Sequence, residues 1–181
     1  MSKGDPIRRK FLEHQFAAGM KLANESNLLE LLPGPDGSDP PETYIARFKC
    51  ETALRGEDGQ VQTGPAEIHV GIRFPEDYQR RPPEPGEIAT LLFPMNIFHP
   101  NIVFTGICLG RVYLGMSLVD ILYQCFEIFG YENWSSSDHL NPEAARWARA
   151  HQDLFPIERR PLKARSASLT VESVNEKETE K

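Results

Sequence analysis

Long apolar runs are missing from this sequence. No stretch approaches the roughly 20 consecutive apolar residues that span a bilayer, so a membrane helix is not expected. A basic excess is missing too. Lys and Arg number 20 against 26 Asp and Glu, for a net charge of −6. Phosphate backbones need a basic face, so nucleic acid is not the expected partner. Cysteine is scarce: Cys50, Cys108 and Cys125 are the three in 181 residues. An odd, widely spaced set is a poor disulfide framework and a poor zinc site. No metal or other cofactor is therefore expected, and a reducing cytoplasm is the natural compartment. The opening MSKGDPIRRKF has no apolar run behind its basic residues, so a secretory signal is not expected there. Residues 161–181 hold no aromatic residue and only scattered aliphatics. Such a tail buries too little surface to offset its ordering entropy, and it is expected to be disordered.

What remains is ordinary globular material. Hydrophobic residues make up 40% and charged residues 25%. The length suits one domain, expected over residues 1–160. Asp5-Pro6 reads as a helix N-cap followed by proline at the first helical position. Ile7, Phe11, Ala18 and Leu22 then recur at helical spacing, with Arg8, Arg9 and Lys10 beside that stripe and solvated. Strands are expected at 28–32, 44–54, 67–74 and 87–93. In the second, Tyr44, Ala46, Phe48 and Cys50 alternate with Arg47, Lys49 and Glu51, which makes Cys50 a core thiol. Ser117 to Asp120 reads as a capping-box variant. Leu118, Ile121, Leu122, Cys125, Phe126 and Phe129 follow on one helical face, which buries Cys125 as well. A last helix starts at Asn141-Pro142-Glu143 and stops before Pro156. Helix, antiparallel strands, irregular loop and helices, in that order, make an α+β fold.

Residues 94–115 break every period and are too apolar for disorder. A long ordered loop of this kind is usually functional. It reads Phe98-His99-Pro100-Asn101-Ile102-Val103-Phe104-Thr105-Gly106-Ile107-Cys108-Leu109. Cys108 is the one cysteine outside an amphipathic pattern, which marks it as a nucleophile rather than a packing thiol.

The loop resembles the active-site region of ubiquitin-conjugating enzymes, in which His-Pro-Asn precedes an acceptor cysteine and a leucine. Phe74-Pro75-Glu76-Asp77-Tyr78 with Arg81-Pro82-Pro83 is similar to that family's Phe-Pro-x-x-Tyr-Pro-x-x-Pro-Pro segment. Residues 140–145, LNPEAA, are similar to its Leu-x-Pro-Glu-Ile-Ala helix start. The series runs in family order from roughly Ile7 to His151. The resemblance implies a UBC-like fold: an N-terminal helix, a four-stranded antiparallel meander, an active-site loop and C-terminal helices. It implies that Cys108 accepts the C-terminal carboxyl of a ubiquitin-like protein from an activating enzyme and passes it to an amine of a protein substrate, a target lysine. Asn101 would stabilise the oxyanion, or else organise the loop through its own hydrogen bonds. Asp138 would orient and deprotonate the lysine, or else be a solvated loop residue. His99 would be structural, with Pro100 stiffening the turn beside it. Arg8, Arg9 and Lys10 would face the activating enzyme, or else form a plain solvated face.

Four departures mark a divergent member. The asparagine-to-cysteine spacing is one residue short. Gly110 stands where an acidic residue is usual. Tyr113-Leu114-Gly115-Met116 replaces Trp-Ser-Pro-Ala, and Gln79-Arg80-Arg81 follows Tyr78. The last two differences fall in the family's ligase-binding loops, so no ligase is assigned. Prokaryotic relatives, encoded with activating-enzyme-like and ubiquitin-like proteins in antiviral defence operons, supply one hypothesis for its setting. Two alternatives stand beside the conjugating enzyme. One is a non-catalytic binding module of the same fold, which typically lacks the cysteine. The other is a cysteine thioesterase or hydrolase, which needs His99 or His139 turned toward Cys108.

Overall fold

The computed structural model describes residues 5–81, 83–84, 86–110, 112–135, 137 and 139–164. Helix α1 (Pro6–Asn24) opens on Asp5, whose carboxylate accepts from the Ile7 and Arg8 backbone amides. Strands β1 (Leu29–Pro33), β2 (Thr43–Arg55), β3 (Val61–Arg73) and β4 (Ala89–Phe93) form an antiparallel meander. Strands β2 and β3 pair over their full length, from Thr43↔Arg73 to Arg55↔Val61. Gly59, at φ +80°, turns the chain between them.

The four-strand expectation is corrected: the sheet has six strands, in the order β1-β2-β3-β4-β6-β5. The two additions are β5 (Ile102–Val103) and β6 (Gly106–Ile107), a small hairpin folded from the irregular loop. It joins β4 through Thr90↔Gly106 and through the Leu91 amide, which donates to Thr105 O at 2.8 Å. Two-residue strands are too short to show a period of two, so the sequence reads them as loop.

Helix α2 (Leu118–Phe129) lies against the inner face of the sheet. Its capping box closes both ways: Ser117 Oγ accepts from the Asp120 amide, and Asp120 accepts from the Ser117 amide. Its buried face matches the expected stripe and adds Ile128, with Phe129 5.6 Å edge-on to Phe48 of β2. Each such fully buried apolar side chain contributes about 1.5–3 kcal/mol. Helix α3 (Pro142–Ala150) is capped by Asn141, whose Oδ1 accepts from the Ala144 amide. It covers a smaller cluster of Ala53, Tyr131 and Ala148. Among the described residues no helix is long and apolar enough to cross a membrane.

The inner face of α1 differs from expectation. Leu12, Gln15, Gly19 and Leu22 are its buried residues, while Ile7 is 71% exposed. Gln15 is buried because its Oε1 accepts from the Leu118 amide at 2.7 Å, filling an orphan donor at the start of α2. Gly19 is buried because the helices meet there: a Cβ at that position would lie 2.7 Å from Leu118 and 2.8 Å from Leu31. At the other end of the chain, residues 161–164 pack rather than trail, with Leu162 buried in the core. Residues 165–181 lie outside the described residues.

Candidate functional site

The loop after β4 builds its site from a turn and a hairpin. At the turn, His99 O accepts from the Ile102 amide and His99 Nδ1 accepts from the Asn101 amide at 3.0 Å. An imidazole that accepts at Nδ1 carries its proton on Nε2. His99 is fully buried, and burial pushes its pKa down to about 3. It is a neutral structural ring, held edge-on to Tyr131 at 4.3 Å. Tyr131 in turn donates its hydroxyl to Phe98 O. The carbonyl of Pro100 accepts from the Leu140 and Asn141 amides, at 2.9 and 3.0 Å. These two bonds fasten the start of α3 to the turn.

The hairpin brings Asn101 and Cys108 together. Ile102 pairs with Ile107 across β5 and β6. One step further, the Cys108 amide donates to Asn101 O at 2.8 Å. The Asn101 side chain completes the link, with Nδ2 donating to Cys108 O at 3.1 Å. Asn101 is only 6% exposed, and its Oδ1, like Nε2 of His99, has no hydrogen-bond partner among the described residues. The neighbours of Cys108, Ile107 and Leu109, are both buried. The backbone at Cys108 is thus fixed from both sides.

All three thiols are free. Cys50 and Cys125 are buried, as their stripes predict, and burial pushes each pKa up to about 12. Neither can supply a thiolate near neutral pH. Cys108 is half-buried, the only one of the three within reach of solvent. Gly110, where the resemblance has an acidic residue, takes φ +77°, a left-handed turn that suits glycine.

Asp138 lies outside the described residues. His139 Nδ1 is enclosed without a hydrogen-bond partner among the described residues. The basic trio divides. Arg8 is not solvated: its guanidinium donates to Phe74 O, Pro75 O and Glu76 O at 3.0, 2.8 and 3.2 Å and pairs with Glu42 at 3.1 Å. Arg9 pairs with Glu13 one turn along, and Lys10 is exposed. Only the last two remain on the surface for a partner.

Two residues escape sequence reasoning. Tyr131 holds the turn from below, at φ +60°, and nothing in the pattern marks it. Phe104, at the hairpin tip, is 85% exposed and takes φ +50°. An apolar residue inside an apolar loop gives no sequence signal of exposure. Left-handed backbone at a non-glycine residue costs about 1–2 kcal/mol, and such residues gather at functional sites. Among the described residues no cluster of His, Cys, Asp or Glu could hold a metal.

No protein-family model matches the chain, and no curated protein matches it.

Proposed function

We propose that the protein is a conjugating enzyme of the ubiquitin-conjugating type. One observation carries the reading: Cys108 is half-buried on a backbone clamped by Asn101, while the other two cysteines are sealed in the core. Helix, antiparallel sheet, loop and helices, in that order, are compatible with a UBC-like fold. Three free thiols suit a reducing cytoplasm.

In the loading step the Cys108 sulfur attacks the thioester that an ATP-driven activating enzyme holds with a ubiquitin-like protein. The new C–S bond forms, the old one breaks, and the activating enzyme leaves as a free thiol. In the discharge step a lysine amine attacks the Cys108 thioester carbonyl. The C–N bond forms, the C–S bond breaks, and the proton lost by nitrogen returns Cys108 to the thiol. Negative charge develops on the carbonyl oxygen during the attack. The Asn101 amide has two N–H groups and gives one to Cys108 O; the second is proposed to serve that oxyanion. A donor of this kind is worth about 10²–10³ in rate. Asp138 is proposed to position the amine, and Arg9 and Lys10 to meet the activating enzyme. The two departing surface loops leave the ligase unassigned.

The hydrolase alternative needs an imidazole base. His99 is unsuited, since its Nδ1 is engaged and its ring is buried. The binding-module alternative gives no role to a half-exposed cysteine. The test is intact-mass analysis after incubation with an activating enzyme, ATP and candidate ubiquitin-like proteins. A single adduct, removed by reductant and absent from Cys108→Ala, is expected. An adduct that persists in Cys108→Ala refutes the role.

A further inference from the structure

Helix α2 ends on backbone that favours glycine and carries tyrosine there instead. The Gly130 amide donates to Phe126 O and the Tyr131 amide to Ile128 O, while the next two amides, of Glu132 and Asn133, both reach Glu127 O. The residue that turns the chain out of the helix is Tyr131, at φ +60°. Glycine takes this backbone without strain. The glycine present, Gly130, stands one place earlier at φ −77°, where a Cβ would lie 2.8 Å from the Glu158 side chain. Left-handed backbone at a bulky residue persists only where its surroundings over-determine it, and such an outlier points to a role.

The contacts of Tyr131 say what the strain secures. Its ring is buried, with Phe155 stacked on it at 4.5 Å and Trp147 across it at 5.8 Å. Its hydroxyl donates to Phe98 O, and His99 packs against it at 4.3 Å. Among the described residues no backbone amide donates to Phe98 O, so the hydroxyl is what fixes that carbonyl. From His99 the contacts continue to the thiol: Nδ1 accepts from the Asn101 amide, and Asn101 Nδ2 donates to Cys108 O. Resting on the conjugating reading, we infer that Tyr131 is a positioning residue for the discharge step: its hydroxyl fixes the Phe98–His99 peptide, and through His99 it holds the Asn101 side chain in place for the developing oxyanion. Phenylalanine at 131 would keep the ring contacts and release the Phe98 carbonyl. The turn would then loosen, and a donor displaced by a fraction of an ångström stabilises the transition state less well. Being buried, Tyr131 meets no acceptor, so it sets the rate of the step and not the binding of the amine.

The experiment loads Cys108 by thiol exchange with a small peptidyl thioester ending in Gly-Gly, which removes any dependence on the natural modifier. Discharge to free lysine is then followed in a single turnover over a range of lysine concentrations. Tyr131→Phe is expected to lower the saturating rate about 10-fold and to leave the half-saturating lysine concentration unchanged. Asn101→Ala should lower the rate by about 10²–10³. Adding Tyr131→Phe to Asn101→Ala should lower it no further, because the tyrosine acts through that side chain. Arg8→Ala, which weakens the fold at α1, should discharge like the wild type. A wild-type rate in Tyr131→Phe overturns the inference alone. So does an effect that multiplies with that of Asn101→Ala, or an equal slowing in Arg8→Ala, since each marks general loosening rather than positioning. A wild-type rate in Asn101→Ala overturns the oxyanion role and this inference with it. Failure of the wild type to load at Cys108, or loss of the carried group to water as fast as to lysine, overturns the conjugating reading itself.

Discussion

Arg8→Ala separates a structural arginine from a partner-binding one. Three backbone carbonyls, of Phe74, Pro75 and Glu76, share the Arg8 guanidinium, whose side chain is only 12% exposed. The Glu76 bond is at the surface, so water replaces it at little cost. The Phe74 and Pro75 bonds are part-buried, and losing a donor there costs about 1–1.5 kcal/mol each. The Glu42 carboxylate is 42% exposed and adds well under about 1 kcal/mol. The expected loss is about 2–3 kcal/mol, a large share of the 5–15 kcal/mol typical of a domain. In a chain of this size that lowers Tm by about 4–12 °C. Arg9→Ala breaks only an exposed i,i+4 pair and should cost a few tenths of a kcal/mol. Arg8→Lys should behave like Arg8→Ala, because a single ammonium cannot reproduce the planar fork. Urea titration read by tryptophan fluorescence measures all three variants. An Arg8→Ala midpoint equal to that of Arg9→Ala would refute the reasoning and return Arg8 to the solvated patch.

Thiol labelling and acid titration test the site itself. Iodoacetamide should alkylate Cys108 alone in the native protein and all three cysteines after unfolding, as counted by intact mass; native labelling at Cys50 or Cys125 would contradict their burial. His99 is neutral when folded, with its pKa pushed from about 6.5 down to about 3, so the unfolded chain binds more protons between those values. Stability is then fully present above pH 6.5 and is lost as the pH falls toward 3. Glu158, buried and held near 2 by hydrogen bonds from Arg160 and the Glu51 amide, adds a loss only below about 4.5. Glu127, whose carboxyl pKa burial pushes up, contributes in the same window with the opposite sign, so His99 is read from the difference in slope between the wild type and His99→Asn. The slope should flatten in His99→Asn, which keeps an acceptor for the Asn101 amide, and an unchanged urea-midpoint slope would count against the assignment.

The reading of the sequence succeeded where one residue type carries one signal. Period two in β2 marked Cys50 as buried, and the α2 stripe did the same for Cys125. Caps at Asp5, Ser117 and Asn141 marked helix starts that the backbone amides bear out. It failed where burial rests on a partner rather than on hydropathy. Arg8 is read as solvated and Gln15 carries no signal, yet each has buried or part-buried polar groups waiting for it. Nor does Gly19 carry a hydropathy signal, though its missing Cβ is what lets α1 reach Leu118 and Leu31. Within the site, His99, Pro100, Asn101 and Cys108 were named in advance, and the turn and hairpin bring them together. Tyr131 and Phe104 are not, because neither left-handed backbone nor exposure at a hairpin tip is announced by a side-chain pattern.

The sealing of His99 bears on what kind of thiol chemistry the loop can support. A hydrolase needs a base that takes a proton from water beside the acyl-enzyme. Any imidazole poised to do that would drain a carried acyl group as fast as it formed. Here the imidazole nearest in sequence to Cys108 is buried, neutral and occupied at Nδ1 by the Asn101 amide, so it cannot serve water in that way. The same amide contact fixes the turn that aims Asn101 at the Cys108 carbonyl. One buried ring thus does two things: it fixes the turn that carries Asn101, and it is itself unable to act as a base there. On the conjugating reading, this is what lets a thioester wait for an amine. A better nucleophile than water then decides the outcome by arriving, and the residues that receive it, rather than those that hold the thiol, set the specificity.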